Sequence, residues 1–343
     1  MVGSLRKISY SEAINEGLYQ AMELCEDVVV MGQLVDYKPG IFGTTKGLAD
    51  RFGKDRVRDF PNAEGIMTST AIGAALTGMR PVLVHPRIDF MMYSLDAIVN
   101  WLSLWRFKSN KKSNLPVTIR ALVGKGWGQG PQHSKSLHAW FAHLPGLRVA
   151  MPATAYDAKG LLLESIFGEN PTIIIENRSL YSMIDCVSKE PYRVRFGKAA
   201  LRRKGTDVTF VAIGLTVPLA LRAAEMLAKE FINVEVIDLK TISPIDKKTI
   251  QESVSKTKRL AVADSGWQYA GIAAEVIAEV VETHGSQLKS NPLRITLPDS
   301  HTPMSSVLEE EYYLNEEKIA SQIRTLFFKK VNTLKNISAL KVS

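Results

Sequence analysis

Glu64 follows Pro61-Asn62-Ala63 and precedes a run of small residues that includes Ala71, Gly73, Ala74, Ala75 and Gly78. A carboxylate at a helix start is commonly just a charge on the positive end of the dipole. A catalytic reading needs a buried glutamate whose neighbours raise its pKa so that it can share a proton. The small residues would let something flat approach closely; close helix packing explains them equally well. His133 follows a glycine-dense loop, Gly124-Lys125-Gly126-Trp127-Gly128-Gln129-Gly130. A loop histidine can carry protons at neutral pH, and a merely exposed histidine is the plainer reading. The glycines are spaced neither as a dinucleotide fingerprint opening a helix nor as a P-loop. His138 and His143 form no metal-ligand pattern with His133, and packing roles are favoured for both. Phe90, Tyr93, Trp101, Trp105 and Phe107 make an aromatic stretch, by default a core stripe, from which one ring could stack on a cofactor. Arg87 could bind a carboxylate or phosphate; a solvated arginine is an equal alternative.

These residues sit in an alternating pattern. Ser11 to Leu24 has a helical apolar face, with Ser9 or Ser11 as its cap. Val28 to Met31 is a short β-branched run, Thr44 to Phe52 a helix and Arg56 to Asp59 a strand. Glu64 opens a helix running to Met79. Pro81 to Val84 is a strand and Phe90 to Ser109 a long helix. Pro116 to Val123 is a strand feeding the glycine loop. Leu147 to Met151, Ala155 to Ile166 and Thr172 to Glu176 continue as strand, helix, strand. The rhythm breaks over 178–200 and resumes with strands near 208, 234, 260 and 293 and helices between them, closing on a helix from Glu316 to Phe328. Strands separated by helices imply a mostly parallel sheet with helices on both faces. The expected fold is therefore α/β with two such domains, over 1–186 and 201–328, joined by 187–200 and followed by a basic tail over 329–343.

Composition sets limits. The 343 residues suffice for two ordinary domains. Hydrophobic residues at 45% and charged residues at 23% suit a globular protein. No apolar run reaches about 18 residues, which argues against a membrane span, and Met1 to Tyr10 does not resemble a secretory signal. Two distant cysteines, Cys25 and Cys186, offer no metal spacing, so a reducing, cytoplasmic location is expected. The net charge of +8 invites a nucleic-acid reading, but the charge is scattered and no basic stripe interleaves with aromatics.

Taken together and in order, these residues resemble the β subunit of the heterotetrameric 2-oxoacid dehydrogenases of pyruvate or branched-chain type (decarboxylating component), from about residue 7 to 328. The similarity rests on Asp59-Phe60-Pro61-Asn62-Ala63-Glu64, Ile72-Gly73-Ala74-Ala75, Arg80-Pro81 and Ile98-Val99-Asn100. It continues in Gln132-His133-Ser134-Lys135-Ser136, Trp140-Phe141-Ala142-His143-Leu144-Pro145-Gly146-Leu147, Ile237-Asp238-Leu239-Lys240 and Gly266-Trp267.

The resemblance implies a thiamine-diphosphate enzyme of transketolase-like fold, with a pyrimidine-binding domain and a transketolase C-terminal-like domain. It gives Glu64 the hydrogen bond to the aminopyrimidine that drives loss of the thiazolium proton, so that the cofactor can attack the substrate's keto carbon. Phe90 becomes the ring that stacks on the pyrimidine. His133 becomes a residue at the site's mouth that handles protons and serves reductive acylation of a lipoyl group. Arg87, Gln132 and Trp127 are substrate-side candidates. The chain has no Gly-Asp-Gly followed about 30 residues later by Asn-Asn, the motif that holds magnesium and the diphosphate in related enzymes. No metal site is therefore expected in this chain, magnesium is expected on a partner, and an α2β2-type assembly with an α subunit is implied.

Departures concentrate on the substrate side. Gln33 stands where the family commonly has a glutamate, Val84-His85-Pro86-Arg87 replaces a stretch that usually begins with Glu, Ser265 replaces an acid and Trp127 is bulky. They leave open a split transketolase or acyloin-forming subunit without a lipoyl partner.

Overall fold

The computed structural model describes residues 5–125 and 128–327. Trp127 and the basic tail after Phe327 lie outside the described residues.

The chain opens with β1 (Leu5–Ser9) and α1 (Tyr10–Leu24). Ser9 caps α1 in a reciprocal box with Glu12, satisfying two donors of the first turn. Then follow β2 (Val28–Gly32), α2 (Leu48–Phe52), β3 (Val57–Asp59), α3 (Glu64–Leu76), β4 (Arg80–His85), α4 (Ile88–Met91) and α5 (Trp105–Lys108). β5 (Thr118–Val123), α6 (His138–Ala142), β6 (Arg148–Ala150), α7 (Ala155–Ile166), β7 (Thr172–Asn177) and β8 (Ile184–Ser188) complete the first half. The second half runs β9 (Ala200–Arg203), β10 (Val208–Ala212), α8 (Thr216–Ala228), β11 (Val234–Asp238), β12 (Thr241–Ser243), α9 (Lys247–Thr257) and β13 (Leu260–Trp267). It ends with α10 (Ile272–His284), β14 (Leu293–Leu297), α11 (Ser306–Tyr312) and α12 (Glu316–Arg324).

Two sheets organise these elements. The first has the order β12-β6-β7-β5-β4-β2-β3 and the second β14-β13-β10-β11-β9. Apart from β12 and β9, which pair antiparallel, all strands in both sheets are parallel. Central strands such as β2, β5 and β7 are buried along their whole length, as a sheet covered on both faces requires. The fold is thus the expected α/β arrangement of mostly parallel sheets. No helix of the described residues is long and apolar enough to cross a membrane.

Four strands were not anticipated, and each depends on partners distant in sequence. β1 pairs antiparallel with β8 inside the stretch read as a break in rhythm. β9 edges the second sheet, and β12 crosses from the second half to extend the first sheet on β6. The long helix expected over Phe90 to Ser109 is instead segmented. A 3-10 turn covers Met92–Ser94 and a π-helical stretch Ala97–Leu102 separates α4 from α5. The Ser103 N–H reaches back five residues to the Ile98 carbonyl at 3.0 Å, while Ser103 Oγ donates to the Val99 carbonyl at 2.7 Å. Apolar periodicity cannot distinguish these hydrogen-bond registers. The helix expected from Thr44 starts only at Leu48, after Gly47 takes a left-handed φ of 75°.

Candidate active site

In an open parallel sheet, ligands bind beyond the carboxyl ends of the strands, where helix N-termini and loops converge. β2 ends at Gly32, whose φ of +144° and closeness to β4 exclude a side chain: a Cβ there would lie 2.2 Å from the Val84 carbonyl oxygen. That tight passage delivers Gln33 to the strand ends. Neighbouring β3 ends at Asp59, whose Oδ1 accepts from the Val35 N–H at 3.1 Å, and the Phe60 N–H donates to the Gly32 carbonyl at 2.8 Å. The chain then turns through Pro61 and enters α3 at Glu64. Gln33 is buried and its Nε2 donates to Glu64 Oε1 at 2.9 Å. Glu64 is therefore half-buried in the first turn of α3 and oriented by a neutral donor.

The α3 start packs on the segment that carries Phe90. A Cβ on Gly65 would lie 3.1 Å from the Tyr93 carbonyl, and Thr68 Oγ1 donates to Ser94 Oγ at 2.9 Å. Beneath them, His85 at the end of β4 is fully buried, with Nε2 at 3.5 Å from Thr68 Oγ1. Burial without a charge partner pushes its imidazole down to about 3. Phe90 and His133 meet edge to face, with ring centroids 5.1 Å apart and planes at 77°. Both are half-buried, while Gln132 beside them is exposed.

Arg87 is buried. Its Nη1 donates to the Gly124 carbonyl at 3.0 Å and its Nη2 donates to Gln129 Oε1. Asp89 is buried too, and its Oδ1 accepts from the Lys135 backbone N–H at 3.1 Å and from Lys135 Nζ at 3.4 Å. Burial pushes the Asp89 carboxyl up, against the opposing pull of Lys135. Sequence reasoning passed over Asp89, whose one visible signal is an acid inside the apolar run Ile88 to Met92. It also missed that Gln33 touches Glu64, since the two are 31 residues apart.

His138 lies on α6 and is fully buried. Its Nε2 donates to Asp264 Oδ1 at 2.8 Å. His143 is exposed on a cleft of about 770 Å³ that Trp140 and Trp267 also line. Among the described residues no group of three or more His, Cys, Asp or Glu side chains could hold a metal ion.

Residues 6–183 match the family described as transketolase, pyrimidine binding domain, and residues 197–319 match transketolase, C-terminal domain. A full-length relative, the 2-oxoisovalerate dehydrogenase subunit beta of Bacillus subtilis, is 36% identical over 321 residues, covering 93% of this chain and 98% of the relative. The chain belongs to the β-subunit family of the thiamine-diphosphate-dependent 2-oxoacid dehydrogenases. Another member, the pyruvate dehydrogenase E1 component subunit beta of Staphylococcus epidermidis, is likewise 36% identical over 93% of the chain and 98% of the relative. The acetoin:2,6-dichlorophenolindophenol oxidoreductase subunit beta of Cupriavidus necator is 39% identical over 93% of this chain and 97% of its own length. The fold is shared with a solved structure titled split gene transketolase, inactive beta4 tetramer, at a TM-score of 0.75 and 22% identity, covering 93% of this chain and 98% of that one. As a β subunit of this family the chain is part of an oxidoreductase that works with thiamine diphosphate. The donor set at its strand ends fits the pyrimidine end of such a cofactor. Glu64 presents an oriented carboxylate acceptor and Phe90 a half-buried flat ring.

Proposed function

We propose that this β subunit activates the cofactor's aminopyrimidine through Glu64 and manages protons at the substrate mouth through His133, in a site completed by an α subunit. Thiamine diphosphate, when bound, supplies the carbon nucleophile that attacks the keto carbon and takes up the electrons left as carbon dioxide departs. The protein's part is orientation and proton control. Glu64 accepts a hydrogen bond from a ring N–H and shares that proton, with Gln33 fixing its carboxylate. Phe90 gives the ring a face to lie against. His133 holds or delivers a proton beside the reacting oxygen. Gln132, exposed next to His133, meets the substrate or acceptor, and Trp127, outside the described residues, remains a substrate-side candidate from sequence. Magnesium and the diphosphate belong, on this reading, to the α subunit of an α2β2-type assembly in the cytoplasm, which passes the acyl unit to a lipoyl acyltransferase. The observation that carries the proposal is Glu64, oriented by Gln33 at the first turn of α3, beside the segment bearing Phe90.

Replacing the carboxylate tests it. Glu64→Gln in the reconstituted α–β complex should lower turnover at least about a hundredfold, as loss of a general acid–base does, with an unchanged melting temperature. Near-normal turnover would overturn the assignment. The isolated chain should show no tight binding of thiamine diphosphate by titration calorimetry; tight binding without a partner would reject the shared site.

A second reading keeps the cofactor and changes the acceptor to an aldehyde or sugar, with no lipoyl partner. What supports a changed substrate side is the 39% identity to a subunit whose name gives acetoin, not a 2-oxoacid, as the compound oxidised. Product analysis separates the two: an acylated lipoyl domain supports the first, and a new acyloin with no lipoyl acylation supports the second.

A further inference from the structure

Arg87, Ile88 and Asp89 directly precede Phe90, and two of them reach across to the loop that carries His133. Arg87 grips the loop four residues before His133, at Gln129, and grips its root at the Gly124 carbonyl. Asp89 grips it two residues after His133, through the Lys135 backbone N–H and ammonium group. Ile88 between them is fully buried, so the tripeptide has a fixed base. The loop is pinned from its other side as well. Gly130 has a φ of +58°, and a Cβ there would fall 2.4 Å from Met304 Cγ in the second half of the chain. Asp89 Oδ2 is buried without a hydrogen-bond partner. Burying an ionisable group incompletely satisfied costs stability, so a carboxylate kept in this place is better explained by what its other oxygen holds. Both terminal nitrogens of Arg87 are likewise engaged by the protein.

We infer that Arg87 and Asp89 are positioning residues that bracket His133, fixing it edge-on to Phe90 and so shaping the acceptor side of the site. The inference rests on the role proposed for His133. The two arms restrain different halves of the loop, so each loosens it separately when broken. Neither arm touches Glu64, so their loss falls on the acceptor step more than on decarboxylation.

The test uses the α–β complex, with pyruvate as the donor probe and lipoamide as the acceptor. Arg87→Met and Asp89→Ala should each speed hydrogen exchange of the backbone amides over 129–135 at least tenfold. Each should raise the KM for lipoamide, with a loss in acyl transfer at least tenfold larger than the loss in carbon dioxide release. Arg87→Lys, which can serve only one of the two acceptors, should fall between. If Arg87→Met does not fold, Gln129→Ala breaks the same bond from the loop side and should loosen the same amides. Unchanged exchange in the Arg87 or Gln129 variant and in Asp89→Ala would overturn the bracket, as would equal losses in the two half-reactions. His133→Ala with an undiminished acyl transfer would sink the role of His133 alone, because the exchange measurement reads the bracket independently.

Discussion

Glu64 and His85 show how differently two polar groups at the strand ends are treated. Glu64 is given a donor and left half-open, the condition for a group that must exchange a proton with a ligand. His85 is sealed, with Nδ1 unpartnered, and burial alone drives its imidazole to about 3 from an ordinary 6.5. Between those values the unfolded chain binds a proton that the folded chain refuses. Stability therefore rises with pH across this window and is lost as pH falls from 6.5 towards 3, by up to roughly 1.4 kcal/mol per pH unit. His85→Phe removes the titrating group while keeping a ring. Thermal melts between pH 7 and pH 4 should show a smaller loss for the variant than for the parent; parallel losses would show that His85 does not set the acid sensitivity.

Elements position these groups through close backbone contacts. The passage from β2 to Gln33 depends on Gly32, where positive φ and the Val84 carbonyl leave no space for a methyl group. Gly32→Ala should force β2 away from β4, costing at least about 2 kcal/mol in denaturant unfolding, and should lower turnover by displacing Gln33 from Glu64. A stable, fully active variant would show that the strand ends tolerate the shift. The segmented run from α4 to α5 serves the same end. Its π-helical stretch contains Trp101, which is exposed, as is Phe107 on α5.

At the scale of the molecule the two halves are joined in several ways. β12 adds to the first sheet, and one apolar cluster runs from Leu137, Phe141 and Met151 to Val211, Leu239 and Val262. The His138–Asp264 pair is the polar counterpart, wholly buried between α6 and the end of β13. Burial alone would raise the Asp264 carboxyl, but the charge and hydrogen bond of His138, with the Gly266 and Ala273 N–H groups, hold it below its ordinary 3.8. A depressed carboxyl contributes fully above its unfolded value and loses that contribution as pH falls through the lowered one. Asp264→Asn should therefore destabilise the chain by about 3 kcal/mol at neutral pH, as breaking a buried pair does. The gap to the parent should close only in strong acid. A gap that closes already near pH 6 would assign the effect to another group.

The sequence by itself determined the α/β class, because buried parallel strands read as β-branched runs and the helices between them as apolar faces. It also determined the family, because Glu64, Phe90 and His133 fall in one ordered pattern of neighbours. The start of α1 was legible only to within Ser9 or Ser11, and the Ser9–Glu12 box settles it on Ser9. Only the tertiary structure decided what touches what. The pairing of β1 with β8 joins two segments not read as strands, and β12, equally unannounced, adds to β6 from more than 90 residues away. The contacts of Gln33 with Glu64 and of Arg87 and Asp89 with the His133 loop span 31 to 46 residues. Such contacts follow from the order of strands in the sheet, which brings the ends of β2, β3, β4 and β5 together, and no local spacing encodes that order.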